Sequence, residues 1–247
     1  MALLCAPLSV STWSQSINQP ELGHQSAMLI QQDGLKFKDL NHDGKLNKYE
    51  DWRIPATQRA DDLLKRMSLA EKAGLMMHGT APVSGSVIGS GAVYDKDASR
   101  EMILRDHVTS LLTRLNGEDP ALLARQNNVL QEIAESGRLG IPVIISTDPR
   151  NSYQDLVGIS NPAGKFSQWP EAIGFGAAGS ESLAKSYAAH IREEYRAVGI
   201  TQALSPQADI ATEPRWARIS GTFGEDPELA RKLVRGYISG MQNGSEG

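Results

Sequence analysis

The chain has 247 residues, of which 40% are hydrophobic and 22% are charged, and its formal net charge is −4. This composition is typical of a folded globular protein and excludes a disordered or fibrous one. Lysine and arginine are not clustered, which argues against nucleic acid as a partner, and no apolar run is long enough to form a membrane span.

The N-terminal residues are set aside from the fold prediction. Residues 1–10 resemble the end of the apolar region of an export signal, but they lack the basic start of a complete signal. An ordinary flexible terminus is the alternative. Residues 1–30 are therefore interpreted as a disordered tail or the remnant of an export signal, which favours a periplasmic or extracellular location. Cys5 is the single cysteine, so no intrachain disulfide can form.

Residues 31–55 are predicted to be an irregular segment that contains an EF-hand-like loop at residues 39–50. This loop matches the calcium-binding pattern, in which oxygen ligands occupy positions 1, 3, 5, 7, 9 and 12 and a glycine occupies position 6. The predicted ligands are Asp39, Asn41, Asp43, the carbonyl of Lys45, Asn47 and Glu50. The alternative is a polar turn whose side chains cap the backbone, because EF-hands usually occur in pairs and no clear helix precedes this loop.

From residue 56 onward, predicted helices and strands alternate. Apolar spacing and capping residues predict helices at 57–67, from 68 onward, at 119–136, at 180–198 and from 226 onward. Apolar or glycine-spaced runs predict strands at 108–115, 141–146, 172–178 and 200–204. This alternation is typical of parallel βα units, and a single α/β barrel fits the length.

Charged residues follow two of the predicted strands, where parallel α/β folds bind their ligands. Asp148 follows the strand at 141–146, and a carboxylate there can accept hydrogen bonds from two sugar hydroxyls. Arg215 and Arg218 follow the strand at 200–204, where Trp216 between them offers a flat surface for a sugar ring. The alternatives are structural, with Asp148 capping a loop or pairing with Arg150 and the arginines pairing with nearby acids. No pair of catalytic carboxylates is singled out.

Several segments together resemble glycoside hydrolase family 3, of the β-glucosidase type. They are residues 49–53, residues 61–74, Gly-Ile-Pro-Val-Ile-Ile-Ser-Thr-Asp-Pro-Arg ending at Arg150, residues 204–216, and Gly-Thr-Phe-Gly-Glu-Asp-Pro beginning at Gly221. The resemblance runs from about Phe37 to the end of the chain. The family's usual Asp-Pro-Arg-Trp-Gly-Arg stands here as Glu-Pro-Arg-Trp-Ala-Arg, beginning at Glu213.

The resemblance implies an α/β fold, a partial (β/α)8 TIM-type barrel of parallel βα units preceded by an irregular N-terminal segment. Residues 56–247 would be the incomplete N-terminal barrel domain of the hydrolase. The implied activity is retaining hydrolysis of terminal β-linked sugars through a covalent glycosyl-aspartate, without a catalytic cofactor. Asp148 would hold hydroxyls of the terminal sugar, and Arg215 would contact the same sugar.

The same resemblance places the family's Lys-His motif, its nucleophilic aspartate and its acid/base glutamate beyond residue 247. No catalytic residue is therefore assigned within the chain, and the remaining part of a parent chain is the expected partner. The preferred interpretation is the N-terminal part of an exo-acting β-glycosidase that is inactive alone. The alternative is a non-catalytic carbohydrate- or calcium-binding module, and a phosphate- or nucleotide-binding α/β protein is least favoured. The sugar and its linkage stay open.

Overall fold

The computed structural model describes residues 18–86, 90–152, 161 and 163–242. In this part of the chain an antiparallel hairpin precedes a parallel sheet of four strands, with helices packed against the sheet. The α/β organisation predicted from the sequence is therefore confirmed. The sheet is open within the described residues, so it forms part of a barrel rather than a closed one.

The hairpin joins β1 (Met28–Gln32) to β2 (Leu35–Asp39), with Met28 opposite Asp39. Asp33 and Gly34 form its tight turn, and both have positive φ angles, of 54° and 76°. Asp-Gly is a strong signal for such a turn because these residues tolerate positive φ. The sequence boundary at residue 30 falls inside β1. Regular structure therefore stands at 28–39, where a disordered tail and an irregular segment were predicted.

The parallel sheet has the order β3-β4-β5-β6. Its strands are β3 (Gly79–Thr80), β4 (Ser110–Thr113), β5 (Ile144–Thr147) and β6 (Gln202–Ala203). Thr147 of β5 lies opposite Thr113 of β4 on one side and Ala203 of β6 on the other. The carboxyl ends of the strands therefore lie along one edge of the sheet.

Helices make up most of the regular structure outside the strands. They are α1 (Ala56–Arg66), α2 (Leu69–Leu75), α3 (Lys96–Arg100), α4 (Pro120–Glu135), α5 (Ala172–Ala178), α6 (Glu181–Ala197) and α7 (Pro227–Met241), with a π-helical turn at Glu101–Arg105. The capping box predicted before α2 is present, since Ser68 accepts from the Glu71 amide and Glu71 accepts from the Ser68 amide. Asp119 and Asp226 likewise cap α4 and α7 as predicted.

The strand predicted at residues 172–178 is wrong, because these residues form α5. Its glycines serve helix packing instead. A Cβ atom on Gly176 would lie 2.2 Å from the carbonyl oxygen of Phe223, so only glycine allows this close approach. Gly179 ends the helix in the left-handed conformation, with a φ of 64°. The short helix α3 was not predicted.

One face of the sheet is covered by helices. Leu111 of β4 and Ile145 of β5 are fully buried and pack with Leu123 and Leu130 of α4. Because side chains alternate along a strand, the residues between them face the opposite side. Ser146 illustrates this, since its hydroxyl meets the His78 imidazole, 3.1 Å from Nε2. Continued past the strand ends, the alternation directs the next residues of β4 and β5 to that opposite face.

Candidate functional site

A cavity of about 340 Å³ lies beyond the carboxyl ends of β5 and β6. Its charged lining residues are Asp148, Glu171, Asp209 and Arg218, and its aromatic lining residues are Phe175, Tyr187, Phe223 and Tyr237. Aromatic faces with a few convergent polar groups are typical of small-molecule sites, and the volume lies at the lower end of their range. The strand-end position predicted for a ligand site is therefore the position of a lined cavity.

Asp148 directly follows β5 and is half-buried at the wall of this cavity. Its backbone carbonyl accepts a hydrogen bond from the Thr147 hydroxyl at 2.8 Å, but no described residue donates to its carboxylate. Burial raises the pKa of Asp148, and the nearby charges of Arg114, Arg150 and Arg218 oppose that increase. Among the described residues, the carboxylate is thus not engaged by a backbone cap and can accept hydrogen bonds from a ligand.

Arg150 does not pair with Asp148, although it lies two residues away. Its guanidinium is fully buried and donates to the Thr147 hydroxyl, at 3.1 Å from Nε and 2.9 Å from Nη2. A further bond of 3.2 Å joins Nη1 to the Leu115 carbonyl, and the guanidinium lies over the Phe166 ring. Arg150 therefore ties the end of β5 to the end of β4.

The structure does not bring Arg215 to the cavity. The Arg215 side chain is 88% exposed, and its Nε and Nη2 atoms donate to the two oxygens of Glu213 at 2.8 and 2.9 Å. These bonds lower the pKa of Glu213 to about 2. The arginine that lines the cavity is Arg218, whose guanidinium lies 5.6 Å from the ring centre of Trp216.

Glu171 is a cavity residue that the sequence analysis missed. Its Oε1 atom is buried and has no hydrogen-bond partner in the part of the chain that the structure describes. Burial raises the pKa of Glu171, and a hydrogen bond from Ser152 opposes that increase. Glu171 immediately precedes α5. A carboxylate at the start of a helix is the sequence signal for it, and the wrong strand prediction at residues 172–178 removed that signal.

The loop at residues 39–50 folds around its acidic side chains. Asp39 accepts the backbone N–H groups of Asp43 and Gly44, at 3.2 and 3.0 Å. Glu50 closes the loop by accepting the N–H groups of Leu40, Asn41 and Asn47, at 2.8, 3.2 and 2.7 Å. The first and last predicted ligands therefore lie at the two ends of one compact turn.

The predicted ligands inside the loop converge on the side-chain amide of Asn47. Its Nδ2 atom lies 3.5 Å from Asn41 Oδ1, 2.9 Å from Asp43 Oδ2 and 3.1 Å from the Lys45 carbonyl oxygen. These are the oxygens predicted for positions 3, 5 and 7. No three His, Cys, Asp or Glu side chains within the described residues are grouped as a metal ion requires. Any ion would therefore depend on the amide and carbonyl oxygens too.

Comparison with known proteins agrees with the fold. The family described as "Glycosyl hydrolase family 3 N terminal domain" matches residues 69–245. The chain is 59% identical over 245 residues to a periplasmic beta-glucosidase/beta-xylosidase of Dickeya chrysanthemi, covering 99% of this chain and 38% of the relative. It is 42% identical over 195 residues to a probable beta-glucosidase C of Aspergillus oryzae, covering 78% of this chain and 30% of the relative.

A solved structure gives the same result. The glycoside hydrolase family 3 beta-N-acetylglucosaminidase from Paenibacillus sp. superposes with a TM-score of 0.56 at 27% identity, over 72% of this chain and 31% of that one. In the part of the chain that the structure describes, no helix combines the length and apolar character needed to cross a membrane. The chain spans well under half of the length of these relatives. It belongs to glycosyl hydrolase family 3, whose N-terminal domain its sequence and fold match.

Proposed function

We propose that the chain is the sugar-binding N-terminal part of an exo-acting β-glycosidase of the β-glucosidase type. Its substrates would be the terminal non-reducing β-linked sugars of oligosaccharides or glycosides. The observation that carries this proposal is the Asp148 carboxylate, which is half-buried at the wall of the cavity without a donor among the described residues. The glucosidase and xylosidase names of the two relatives support the reaction class.

In this proposal the chain supplies recognition, and hydrolysis with retention needs two further carboxylates. Retention requires a nucleophile, which forms a glycosyl-enzyme intermediate, and an acid/base group about 5–5.5 Å away. The family resemblance places both beyond residue 247, so the chain alone would not hydrolyse an aryl β-glucoside. No catalytic cofactor enters this scheme. We also propose a periplasmic or extracellular location, which the name of the Dickeya relative supports.

Within the cavity, Asp148 would accept hydrogen bonds from two adjacent sugar hydroxyls while a guanidinium donates to a third. The resemblance assigns that guanidinium to Arg215, whereas the cavity geometry favours Arg218. For Arg215 to take the role, its two bonds to Glu213 would have to break. Aromatic rings such as Tyr187 and Tyr237 would cover the apolar face of the sugar.

Asp148→Asn is expected to weaken glucose binding by about 10-fold or more, because a hydrogen bond to a charged group contributes about 1.5–3 kcal/mol. Arg218→Met should also weaken binding, whereas Arg215→Met should leave it near the wild-type value. Saturation-transfer NMR titrations of the chain with glucose measure all three. Asp61→Asn is the matched control, because Asp61 is exposed and distant from Asp148 in the sequence. Wild-type affinity in Asp148→Asn would remove the basis of the proposal, and a loss at Arg215 alone would restore that residue to the site.

The alternative function is a non-catalytic carbohydrate- or calcium-binding module. A longer protein containing this chain separates the two, because a glycosidase releases sugar from an aryl β-glucoside and a binding module does not. Calcium itself is compatible with either function. We propose that residues 39–50 bind structural calcium, with the convergence of Asn41, Asp43 and Lys45 oxygens on one point as the supporting observation.

Calcium is expected to raise the melting temperature of the chain, because a ligand that binds only the folded state stabilises it. Asp39→Ala and Glu50→Gln should each abolish the calcium-dependent increase, even if they also lower the melting temperature without calcium. Thermal melts with calcium and with a chelator measure the difference. Asp61→Ala should keep the full increase. An unchanged melting temperature in the wild type would identify the loop as a polar turn.

A further inference from the structure

Arg114 directly follows β4, as Asp148 directly follows β5. Thr113 and Thr147, the last residues of the two strands, lie opposite each other in the parallel register. The residues that follow them, Arg114 and Asp148, therefore lie opposite each other if the register continues. Because side chains alternate, Arg114 and Asp148 both project from the face opposite Leu111 and Ile145. The register thus places Arg114 and Asp148 side by side at the ends of the two strands.

The two strand ends are held together by the buried guanidinium of Arg150. It bonds to the Thr147 hydroxyl of β5 and to the Leu115 carbonyl, which lies one residue beyond Arg114. Arg150 is fully buried, so this link is shielded from water. The backbone on either side of the Arg114 and Asp148 pair is therefore fixed.

Within the described residues, the Arg114 side chain has no hydrogen-bond acceptor and no ion pair. Its Nε atom is buried there without a partner. Leaving a buried guanidinium N–H without an acceptor costs free energy, so a purely structural arginine would be expected to bond to a carbonyl or carboxylate. Its charge is instead the largest of those that oppose the rise in the pKa of Asp148.

The other charged groups near Asp148 differ from Arg114 in their hydrogen-bond partners or in their position. The Arg150 guanidinium is hydrogen-bonded to Thr147 and Leu115, and Arg218 lines the cavity itself. His78, just before β3, also acts on Asp148, but its two ring nitrogens are hydrogen-bonded to the Ser110 and Ser146 hydroxyls. Two acids, Glu171 and Asp209, line the same cavity.

We propose that Arg114 is a positioning residue of the sugar site, which keeps the neighbouring Asp148 carboxylate ionised so that it can accept hydrogen bonds from sugar hydroxyls. The inference rests on the proposed function of Asp148 for its biological meaning. It adds a group that neither the strand-end rule nor the family resemblance assigned. Arg114 acts through Asp148, because it is not among the residues that line the cavity.

The test uses Arg114→Met, which removes the charge, and Arg114→Lys, which keeps it. Carboxyl ¹³C NMR titration measures the pKa of Asp148 in each variant. Arg114→Met should raise that pKa by about one unit, because an adjacent opposite charge typically lowers a carboxyl pKa by 1–3 units. Arg114→Lys should stay near the wild type. Arg125→Met removes an exposed arginine that pairs with Asp119, so it controls for net charge and should also match the wild type.

The pH dependence of glucose binding is the second readout. Because Arg114→Met raises the Asp148 pKa, binding should be lost at a correspondingly higher pH as the solution is acidified. If wild-type chain binds glucose and the Asp148 pKa in Arg114→Met equals that of the wild type, the inference is overturned while the proposed function stands. If the pKa rises but no variant, nor the wild type, binds glucose, the proposed function fails and the role of Arg114 in ionising Asp148 stands.

Discussion

Replacing Arg150 by methionine is expected to lower the free energy of unfolding by about 2–3 kcal/mol, because hydrogen bonds from a charged donor to buried acceptors are lost. The Leu115 carbonyl loses its bond to Nη1, and the Thr147 hydroxyl loses two bonds. Methionine fills similar length but donates nothing. Urea unfolding followed by circular dichroism measures the change.

The matched control is Arg231→Met on α7. The Arg231 side chain is 66% exposed and bonds to the exposed Glu228. Exposed ion pairs of this kind contribute about 0–1 kcal/mol, so this variant should unfold close to the wild type. Arg150→Lys should lower the free energy of unfolding by part of the amount lost in Arg150→Met, because an ammonium cannot bridge both acceptors with the geometry of a guanidinium fork. A loss at Arg150 no larger than at Arg231 would show that the clamp between β4 and β5 carries little stability.

Glu135→Gln is expected to release the segment before the hairpin. Glu135 ends α4, and its buried Oε2 atom accepts the consecutive N–H groups of Gln25, Ser26 and Ala27, at 2.8, 2.7 and 3.0 Å. A glutamine loses the charge and turns an NH2 group toward donors, so the segment should be destabilised by about 2 kcal/mol. Hydrogen exchange of those amides should then be roughly 10- to 30-fold faster by the same free energy.

The pH dependence of this contact has a definite sign. Burial raises the pKa of Glu135, but the N–H groups and the Lys38 charge together lower it by more. The folded pKa therefore lies below that of an unfolded glutamate. The stabilisation is therefore full above the unfolded value of about 4.3 and is lost as the pH falls through the folded value. Glu132→Gln, an exposed position on the same helix, is the control and should leave exchange unchanged. Equal exchange in both variants would contradict the anchoring role.

Much of the helical part of the fold could be predicted because the helix ends depend on residues close together in the sequence. Ser68, Asp119 and Asp226 each accept backbone N–H groups of the first turn, an interaction within a few residues along the chain. The failure at α5 has the opposite cause. The spacing of Gly176 is explained by the carbonyl of Phe223, a contact 47 residues away that no local pattern contains.

The candidate site divides in the same way. Asp148 could be placed because the carboxyl ends of parallel strands define where ligands bind. Arg114 and Glu171 could not be placed, because what distinguishes each is a buried atom without a partner among the described residues, and burial depends on the whole fold. Arg215 shows the reverse, because its pairing with Glu213 is a two-residue contact that competes with the role implied by the resemblance.

The two outer strands of the sheet also bear on solubility. β3 and β6 have two residues each, whereas the inner strands β4 and β5 have four. An unpaired edge is a template for aggregation in proportion to the row of N–H and C=O groups that it offers, and short edge strands are one way in which proteins limit this hazard. The open sheet therefore presents few unpaired N–H and C=O groups with which a strand of another chain could form hydrogen bonds. A strand that completes it would have to be held by its side chains against the neighbouring helices, because ladder hydrogen bonds at edges this short contribute little.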